Sequence, residues 1–199
     1  ASWSALDRLS LLPNSTGLSW LNTNFQLCPS SHMVSAADIS TLKSYLTDLW
    51  TNLAMMDYPY PTSFLAPLPA NPVVAVCEHL SKPYNNDTEL LHLVYEAVNV
   101  YLNYTGQAKC LNLMEEDGIG KQIFYEDRVV IHFPFVGADM WSYQACTEMV
   151  MPFCYDGTND MFEPSPWDLD AYTKECQETW GPAGTPQPAL ANSLYGGRN

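Results

Sequence analysis

Basic residues are scarce in this sequence. Eight Lys and Arg residues stand against 22 Asp and Glu residues in a chain of 199, which gives a formal net charge of −14 at pH 7. A surface this acidic argues against nucleic acid or an anionic membrane as a partner. No apolar run approaches the roughly 18 residues of a membrane span, so none is predicted. The sequence also lacks a signal peptide and an initiator methionine, and we interpret it as a mature or excised piece.

Several catalytic and cofactor-binding motifs are missing as well. There is no G-x-S-x-G nucleophile elbow, no Walker loop, no G-x-G-x-x-G and no HExxH. Cys77 and His79 are separated by a single residue, which on a helix prevents them from converging on a tetrahedral zinc ion. Asp156 and Asp160 lack the alternating ligands and the closing Glu of a calcium loop. The sequence therefore predicts no catalytic residue, no metal site and no cofactor.

Cysteines and glycosylation motifs point instead to the secretory pathway. The chain has six cysteines and three N-glycosylation sequons, whose asparagines are Asn14, Asn86 and Asn103. A cytosolic protein can carry six cysteines and a single sequon can arise by chance, but the combination favours an oxidising compartment. We therefore expect a disulfide-bonded glycoprotein. Six cysteines allow 15 pairings, so the residues alone leave the connectivity open.

Apolar residues recur at helical spacing along much of the chain, which predicts a mainly α fold. Ser35 and Asp38 form a capping box before one helix, and Asn71 and Pro72 supply the cap and the first residue of another. Asn103 falls on the polar face of its helix, where a glycan can sit. The predicted helices cover residues 1–12, 35–56, 71–80 and 87–104.

The segments between these helices are predicted to differ in character. Residues 14–31 are turn-rich, whereas the proline-rich block 57–72 is aromatic and apolar, which indicates a packed connector. Residues 115–140 contain β-branched and aromatic residues flanked by glycines, which predicts an irregular or strand-containing insertion. We assign residues 1–181 to one helical region and 182–199 to an irregular run rich in Pro, Gly and Ala.

The segment 141–181 holds three of the six cysteines and three of the six tryptophans. Its second half is predicted to be a helix that Ser165 caps, with Pro166 at the first helical position and Asp168 as the capping-box acid. Leu169, Tyr172, Cys176 and Trp180 then share one face, and Gly181 ends the helix. Cys176 is therefore expected to point inward as half of a disulfide.

An apolar run, Met149 to Phe153, precedes this helix and leaves two alternatives open. Such residues most often belong to the core, but methionine also lines adaptable apolar pockets. Glu148 lies next to the run, either at a surface break or held there for a purpose.

Five stretches resemble one family of serine peptidases. They are TNLAMMDYPYPTSFLAPLPANPV (51–73), NVYLNYTGQAKC (99–110), WSYQACTEMVMPFC (141–154), DMFEPSPWDL (160–169) and YGGRN (195–199). The chain resembles the peptidases that cleave beside proline, the family of lysosomal Pro-X carboxypeptidase and dipeptidyl peptidase II. The second, third and fourth stretches are more similar to Pro-X carboxypeptidase.

The resemblance implies that the chain is a disulfide-linked helical cap domain inserted into an α/β-hydrolase domain. Met151 matches a methionine that helps to form the pocket for the substrate proline, and we expect Glu148 beside it to contact substrate too. The implied disulfides are Cys28–Cys110 and Cys146–Cys176. Cys77 and Cys154 would pair with cysteines outside this chain.

The resemblance also places the catalytic Ser, Asp and His outside this chain, so the chain alone is expected to be inactive. The expected partners are a peptide with proline next to the cleaved bond and the protein's own hydrolase domain. A homodimer is also allowed, and the expected location is lysosomal or secreted. The alternative is a non-catalytic, secreted helical glycoprotein domain that binds a protein or lipid partner. The choice between a carboxypeptidase and a dipeptidyl peptidase stays open.

Overall fold

The computed structural model describes residues 1–113 and 136–197, with side chains from residue 141 onward in the second range. The chain divides into two compact units, residues 1–128 and 129–199. The assignment of 1–181 to one cap region of a larger protein stays a prediction. Within the described ranges, no helix is both long enough and apolar enough to cross a membrane.

The first unit is built from five α-helices. They are α1 (Ser2–Ser10), α2 (Thr16–Asn24), α3 (Ile39–Met55), α4 (Pro72–Leu80) and α5 (Asp87–Leu102). Helix α5 packs against α1, α3 and α4, and α1 also contacts α2 and α3. The core of the unit is mainly aliphatic and also contains the aromatic side chains of Trp3, Phe25 and Trp50. Its most deeply buried members include Leu6, Leu21, Phe25, Leu42, Leu46, Leu91 and Val98.

Helices α1, α3 and α5 agree with the predictions because each carries a continuous apolar stripe. In α3 the buried residues are Ile39, Leu42, Leu46, Leu49, Trp50, Asn52 and Leu53. Ser35 and Asp38 form the predicted capping box, although a 3-10 turn, Ala36–Asp38, comes before the α-helix. Asn71 precedes α4 as predicted, but its side chain makes no cap. Asp57 Oδ1 accepts the Val73 N–H at 3.2 Å instead.

The prediction of a turn-rich segment at 14–31 is wrong for residues 16–24, which form α2, whereas residues 25–31 are non-helical apart from a 3-10 turn, Pro29–Ser31. The chain first makes a 3-10 turn, Pro13–Ser15, in which Asn14 and Ser15 take left-handed backbone angles. Helix α2 then buries Leu18 and Leu21. Gly17 of α2 is also buried, and its backbone lies so close to α1 that a Cβ would overlap the Leu9 carbonyl. Glycine has a low helix propensity, but at position 17 its missing side chain allows α2 to cross α1 closely.

The proline-rich connector is ordered, as predicted. Thr62 and Leu68 form an antiparallel bridge with N–O distances of 2.8 and 3.2 Å. Leu68 is fully buried beside Ala66, whereas Phe64 is exposed at the tip. This segment therefore packs through one side and leaves aromatic rings on the surface.

A disulfide closes a long loop within the first unit. Cys28 is bonded to Cys110, 82 residues further along the chain. Beside it, Leu27 and Leu111 form a parallel bridge, and the Cys28 N–H donates to the Leu111 carbonyl at 2.8 Å. Ser31 Oγ adds a hydrogen bond to Asn112 Oδ1 at 2.7 Å. The crosslink is therefore embedded in backbone pairing.

The second unit contains α6 (Val136–Thr147), α7 (Leu169–Trp180) and α8 (Leu190–Tyr195). A 3-10 turn, Gly181–Gly184, follows α7. The prediction of an insertion at 115–140 falls largely outside the described residues, but its last residues, 136–140, belong to α6. The run 182–199 was predicted to be irregular and instead includes α8. Both described ranges fit the predicted mainly α fold, and that prediction is confirmed.

Candidate functional site

A second disulfide organises the segment that carries the predicted substrate contacts. Cys146, near the end of α6, is bonded to Cys176 on α7, and both are buried. The Tyr143 and Trp180 rings meet edge to face with centroids 5.4 Å apart. The two helices are therefore fixed to each other by a covalent bond and an aromatic contact. The pairing is the one that the family resemblance implies.

The apolar run leaves α6 directly after this disulfide. The Glu148 and Met149 N–H groups both donate to the Gln144 carbonyl, at 2.8 and 2.9 Å, and this ends the helix. From there the chain runs without helix or strand to Cys154. Met149 is 41% exposed and Phe153 is 59% exposed. The alternative that this run belongs to the core is therefore wrong for these two residues.

Of the two predicted substrate-binding residues, Met151 lies on this run and Glu148 directly precedes it. Met151 is half-buried and Glu148 is exposed. The disulfide fixes the start of the run, so both side chains are presented from a defined position. An exposed carboxylate three positions from a half-buried thioether can offer a charge and an apolar surface to one extended ligand.

An acidic turn follows the run. Asp156 Oδ1 accepts the N–H groups of Thr158 and Asn159, both at 2.7 Å. The Asn159 backbone N–H above all, then its side-chain amide and the Thr158 N–H, hold the pKa of Asp156 below its usual range. Asp160 Oδ2 accepts the Asp156 N–H. These carboxylates therefore serve the turn itself, and no group of metal-ligand residues occurs among the residues that the structure describes.

This turn closes against the start of the next segment. Tyr155 and Ser165 exchange backbone hydrogen bonds of 3.0 and 2.9 Å in an antiparallel bridge. The Tyr155 and Phe162 rings lie 4.4 Å apart. Gly157 has φ of +69°, and a Cβ there would come within 2.8 Å of the Pro164 ring. The loop is therefore a compact structure and not a free linker.

The predicted start of α7 is wrong by one turn. The helix begins at Leu169, and Asp168 is its N-cap, whose Oδ1 accepts the Ala171 N–H at 2.8 Å. Ser165 cannot cap it because its backbone is engaged in the bridge to Tyr155. Gly181 ends the helix as predicted, with φ of +65°.

The remaining predicted residues lie elsewhere on the surface. Asn14 and Asn86 are exposed, and Asn103 is half-buried with its Oδ1 accepting the Ala108 N–H at 2.8 Å. Cys77 and Cys154 are exposed and carry free thiols in this chain.

Sequence reasoning did not anticipate how much apolar surface the second unit exposes. Its exposed large side chains include Trp141, Met149, Phe153, Met161 and Leu169. The signal was the apolar run itself, whose composition also suits a core. In the structure these residues offer a surface that an apolar partner can cover.

Comparison with known proteins places the chain in a family. The model of the family described as Serine carboxypeptidase S28 matches residues 1–199. The chain is 42% identical over 198 residues to a human protein named lysosomal Pro-X carboxypeptidase, and 41% identical to its mouse counterpart. It is 36% identical over 183 residues to prolyl carboxy peptidase like protein 5 of Caenorhabditis elegans.

The coverage of these matches is unequal. The whole chain aligns with the human and mouse proteins, but it spans only 36% of their length. For the nematode protein, 89% of the chain aligns with 33% of the relative. The family model matches the chain from the first residue to the last, so every segment is assigned to this one family. The chain belongs to the serine carboxypeptidase S28 family, an α/β-hydrolase type.

Proposed function

We propose that the whole protein is a proline-specific serine exopeptidase similar to Pro-X carboxypeptidase, and that this chain supplies its helical cap. The observation that carries the proposal is the 42% identity to human lysosomal Pro-X carboxypeptidase along the entire chain. The catalytic Ser, His and Asp of such an enzyme are not assigned to any residue here. Ser would attack the scissile carbonyl, His would transfer the proton and Asp would orient the His.

The role proposed for this chain is to narrow the cleft and to form part of the proline pocket. The pyrrolidine ring of proline presents apolar area, and its nitrogen carries no hydrogen when it is acylated. A suitable wall is therefore apolar and adaptable, which describes a methionine. Met151 lies on the exposed run after the Cys146–Cys176 disulfide. We assign Met151 to this wall because it matches the methionine that the family resemblance places there, and because the crosslink fixes the start of the run.

Glu148 is proposed to contact the same substrate three residues earlier. Its charge attracts a free amine and repels a free carboxylate. An exopeptidase that trims from the amino end therefore gains binding from Glu148, whereas one that trims from the carboxyl end gains none. The effect of Glu148→Gln on the two substrate classes consequently distinguishes a dipeptidyl peptidase from a carboxypeptidase.

The central test compares two methionines of the same run in the full-length protein. Met151→Ala removes a side chain whose burial is worth about 1.5–3 kcal/mol, equal to roughly a tenfold to hundredfold fall in kcat/KM. We expect that fall for Pro-X peptides and a smaller one for Ala-X peptides, where the pocket is less filled. Met149→Ala is the matched control and should leave kcat/KM within about twofold. If the two variants lowered kcat/KM equally, Met151 would not be part of the proline pocket.

A second test addresses the class of the whole protein. A fluorophosphonate probe reacts covalently with an activated serine, so it should label the full-length protein and abolish hydrolysis of Pro-X peptides. Full-length protein that folds, stays unlabelled and does not hydrolyse these peptides would instead favour a non-catalytic glycoprotein that binds a protein or lipid partner.

We also propose that the protein is a glycoprotein of the lysosome or the extracellular space. Two disulfides support an oxidising compartment, as do the human and mouse relatives whose names place them in the lysosome. The proposed acceptor sites are Asn14, Asn86 and Asn103. Mass spectrometry of glycopeptides from protein made in a glycosylating host measures the occupancy of each site.

A further inference from the structure

A groove opens on the first unit between α2 and the start of α5. It is a shallow groove, open to solvent, with a volume of about 510 Å³. The residues that line it include Trp20, Asn24, Pro83, Thr88, Glu89 and His92. An indole and a proline ring thus lie in one groove with an amide, a hydroxyl and an imidazole. This combination suits a saccharide, whose C–H face packs on an aromatic ring while its hydroxyls form hydrogen bonds.

The groove adjoins the sequon Asn86-Asp87-Thr88. Thr88 belongs both to the sequon and to the groove lining. Asn86 Nδ2, the atom to which an N-linked glycan is attached, lies 3.2 Å from Glu89 Oε1, and Glu89 also lines the groove. A glycan on this nitrogen would therefore begin at the edge of the groove.

The Asn86 side chain is held in a defined orientation. Its Oδ1 caps α5 by accepting the Glu89 N–H at 2.9 Å, and it also accepts the Thr88 hydroxyl at 2.7 Å. Only the Asn86 Oδ1 atom takes part in the helix cap, so a sugar attached at Nδ2 leaves the cap intact. The nitrogen retains one hydrogen after glycosylation, which can still bond to Glu89.

The one acidic side chain of the groove is already engaged. Glu89 Oε2 accepts the Asn85 N–H at 2.7 Å and the Asn85 amide at 2.9 Å. These bonds, together with Asn86, hold the pKa of Glu89 below its usual range. The carboxylate is thus engaged by its own neighbours. The surface that remains for a ligand consists of the rings of Trp20 and Pro83 with the polar side chains of Asn24, Thr88 and His92. A neutral sugar fits this surface better than an ion does.

We propose that the N-linked glycan of Asn86 folds back into this groove, with its first sugars against Trp20, and so links α2 to α5. The inference rests on the proposed glycosylation. The tether explains why an open groove can hold a sugar, because attachment at its edge gives an effective concentration of the order of millimolar. A free monosaccharide lacks that advantage.

The first experiment uses full-length protein made in a glycosylating host. Glycopeptide mass spectrometry reports the occupancy of each sequon, and an unglycosylated Asn86 overturns both the inference and the proposed glycosylation at this site.

An endoglycosidase that cuts between the first two N-acetylglucosamines is then applied to the native protein. We expect release at Asn86 at least tenfold slower than at Asn14, with equal rates after denaturation. Equal rates in the native protein overturn the inference but leave the glycosylation standing.

The second experiment removes the aromatic wall. Trp20→Ala should raise the native rate of release at Asn86 about tenfold and leave the rate at Asn103 unchanged. Tyr104→Ala is the matched control, since Tyr104 is an exposed aromatic residue and the middle residue of the Asn103 sequon. His92→Ala, an exposed position in the same groove, provides a second variant if loss of Trp20 prevents folding. If neither groove variant accelerates release at Asn86, the inference is wrong.

Discussion

Gly17 is the position where one added methyl group tests the packing of α1 against α2. An ideal Cβ at this buried residue would overlap the Leu9 carbonyl oxygen and would lie 2.6 Å from the carbonyl carbon and 3.1 Å from Cα. All three atoms are backbone, so no side-chain rotation relieves the overlap. The φ of Gly17 is not in the positive range. Gly17→Ala therefore changes the space between the helices without straining the backbone at residue 17.

Two opposing terms set the size of the effect. Alanine gains about 0.8–1.0 kcal/mol over glycine in a helix interior, and less in a first turn. Overpacking typically costs about 1–3 kcal/mol. Here the cost should fall in the upper half of that range, because α2 must move away from α1 and loosen the buried Leu18 and Leu21. The net expectation is a destabilisation of about 1–2 kcal/mol, or roughly 2–8 °C in Tm for a chain of this size.

The assay is thermal unfolding of Gly17→Ala followed by circular dichroism. Ser19→Ala is the control, since Ser19 is an exposed residue on the same helix and its replacement adds nothing to the interface. The control should unfold within about 1 °C of the parent protein. A higher Tm for Gly17→Ala would mean that helix propensity outweighs packing, and the close crossing of α1 and α2 would be refuted.

Three further predictions concern a cap, a crosslink and a titrating turn. Asp168→Ala should lower the free energy of unfolding by about 1 kcal/mol because it removes the N-cap of α7. Ser165→Ala, the control, should change it by less than about 0.5 kcal/mol. Similar losses from both variants would mean that Ser165 also caps the helix, as the sequence predicted. Replacing Cys28 and Cys110 by Ser should cost about 4.5 kcal/mol, since the loop is 82 residues long, and a loss under 2 kcal/mol in urea unfolding would contradict the chain-entropy argument. The pKa of Asp156 is lowered on folding, so its stabilisation is present above the ordinary carboxyl pKa of 3.8 and is lost as pH falls through the folded value. Asp156→Asn should remove that part of the acid sensitivity below about pH 4, and an unchanged slope of stability against pH would contradict it.

The helices that could be predicted from sequence are those whose evidence is local. Helix α3 has seven buried residues at helical spacing and a capping box four residues before its first α-helical residue. Helix α2 has only nine residues, and its Pro13 and Gly17 surroundings resemble a turn. Its formation depends on Leu18 and Leu21 reaching the core of the unit. Such tertiary contacts outweigh a weak local preference.

The start of α7 shows how a distant partner decides between two local signals. Ser165 and Asp168 are both good N-cap residues, and the sequence contains nothing nearby that separates them. The bridge from Ser165 to Tyr155 holds Ser165 outside the helix. Because that bridge joins residues ten positions apart, helical spacing could not predict it.

The exposed course of the apolar run could not be predicted from its sequence, and the substrate-binding roles of Met151 and Glu148 stay predictions. Met151 and Glu148 were found through the family resemblance and the apolar run. An apolar run buried within a unit and one left on its surface have the same composition. Only the end of α6 at the Gln144 carbonyl, together with the disulfide, sets the exposed course of the run.

The crosslink between Cys28 and Cys110 also has a consequence for synthesis. At the usual 5–20 residues per second, the 82 residues that separate the two cysteines take roughly 4–16 s to emerge. Cys77 lies between them, so its thiol becomes available to Cys28 before that of Cys110 does. Where Cys28 and Cys77 pair first, the native bond forms by thiol–disulfide exchange, in which the Cys110 thiolate attacks the Cys28 sulfur and releases the Cys77 thiolate. The rate at which the first unit matures is therefore expected to depend on a disulfide isomerase, although its helices need no such help.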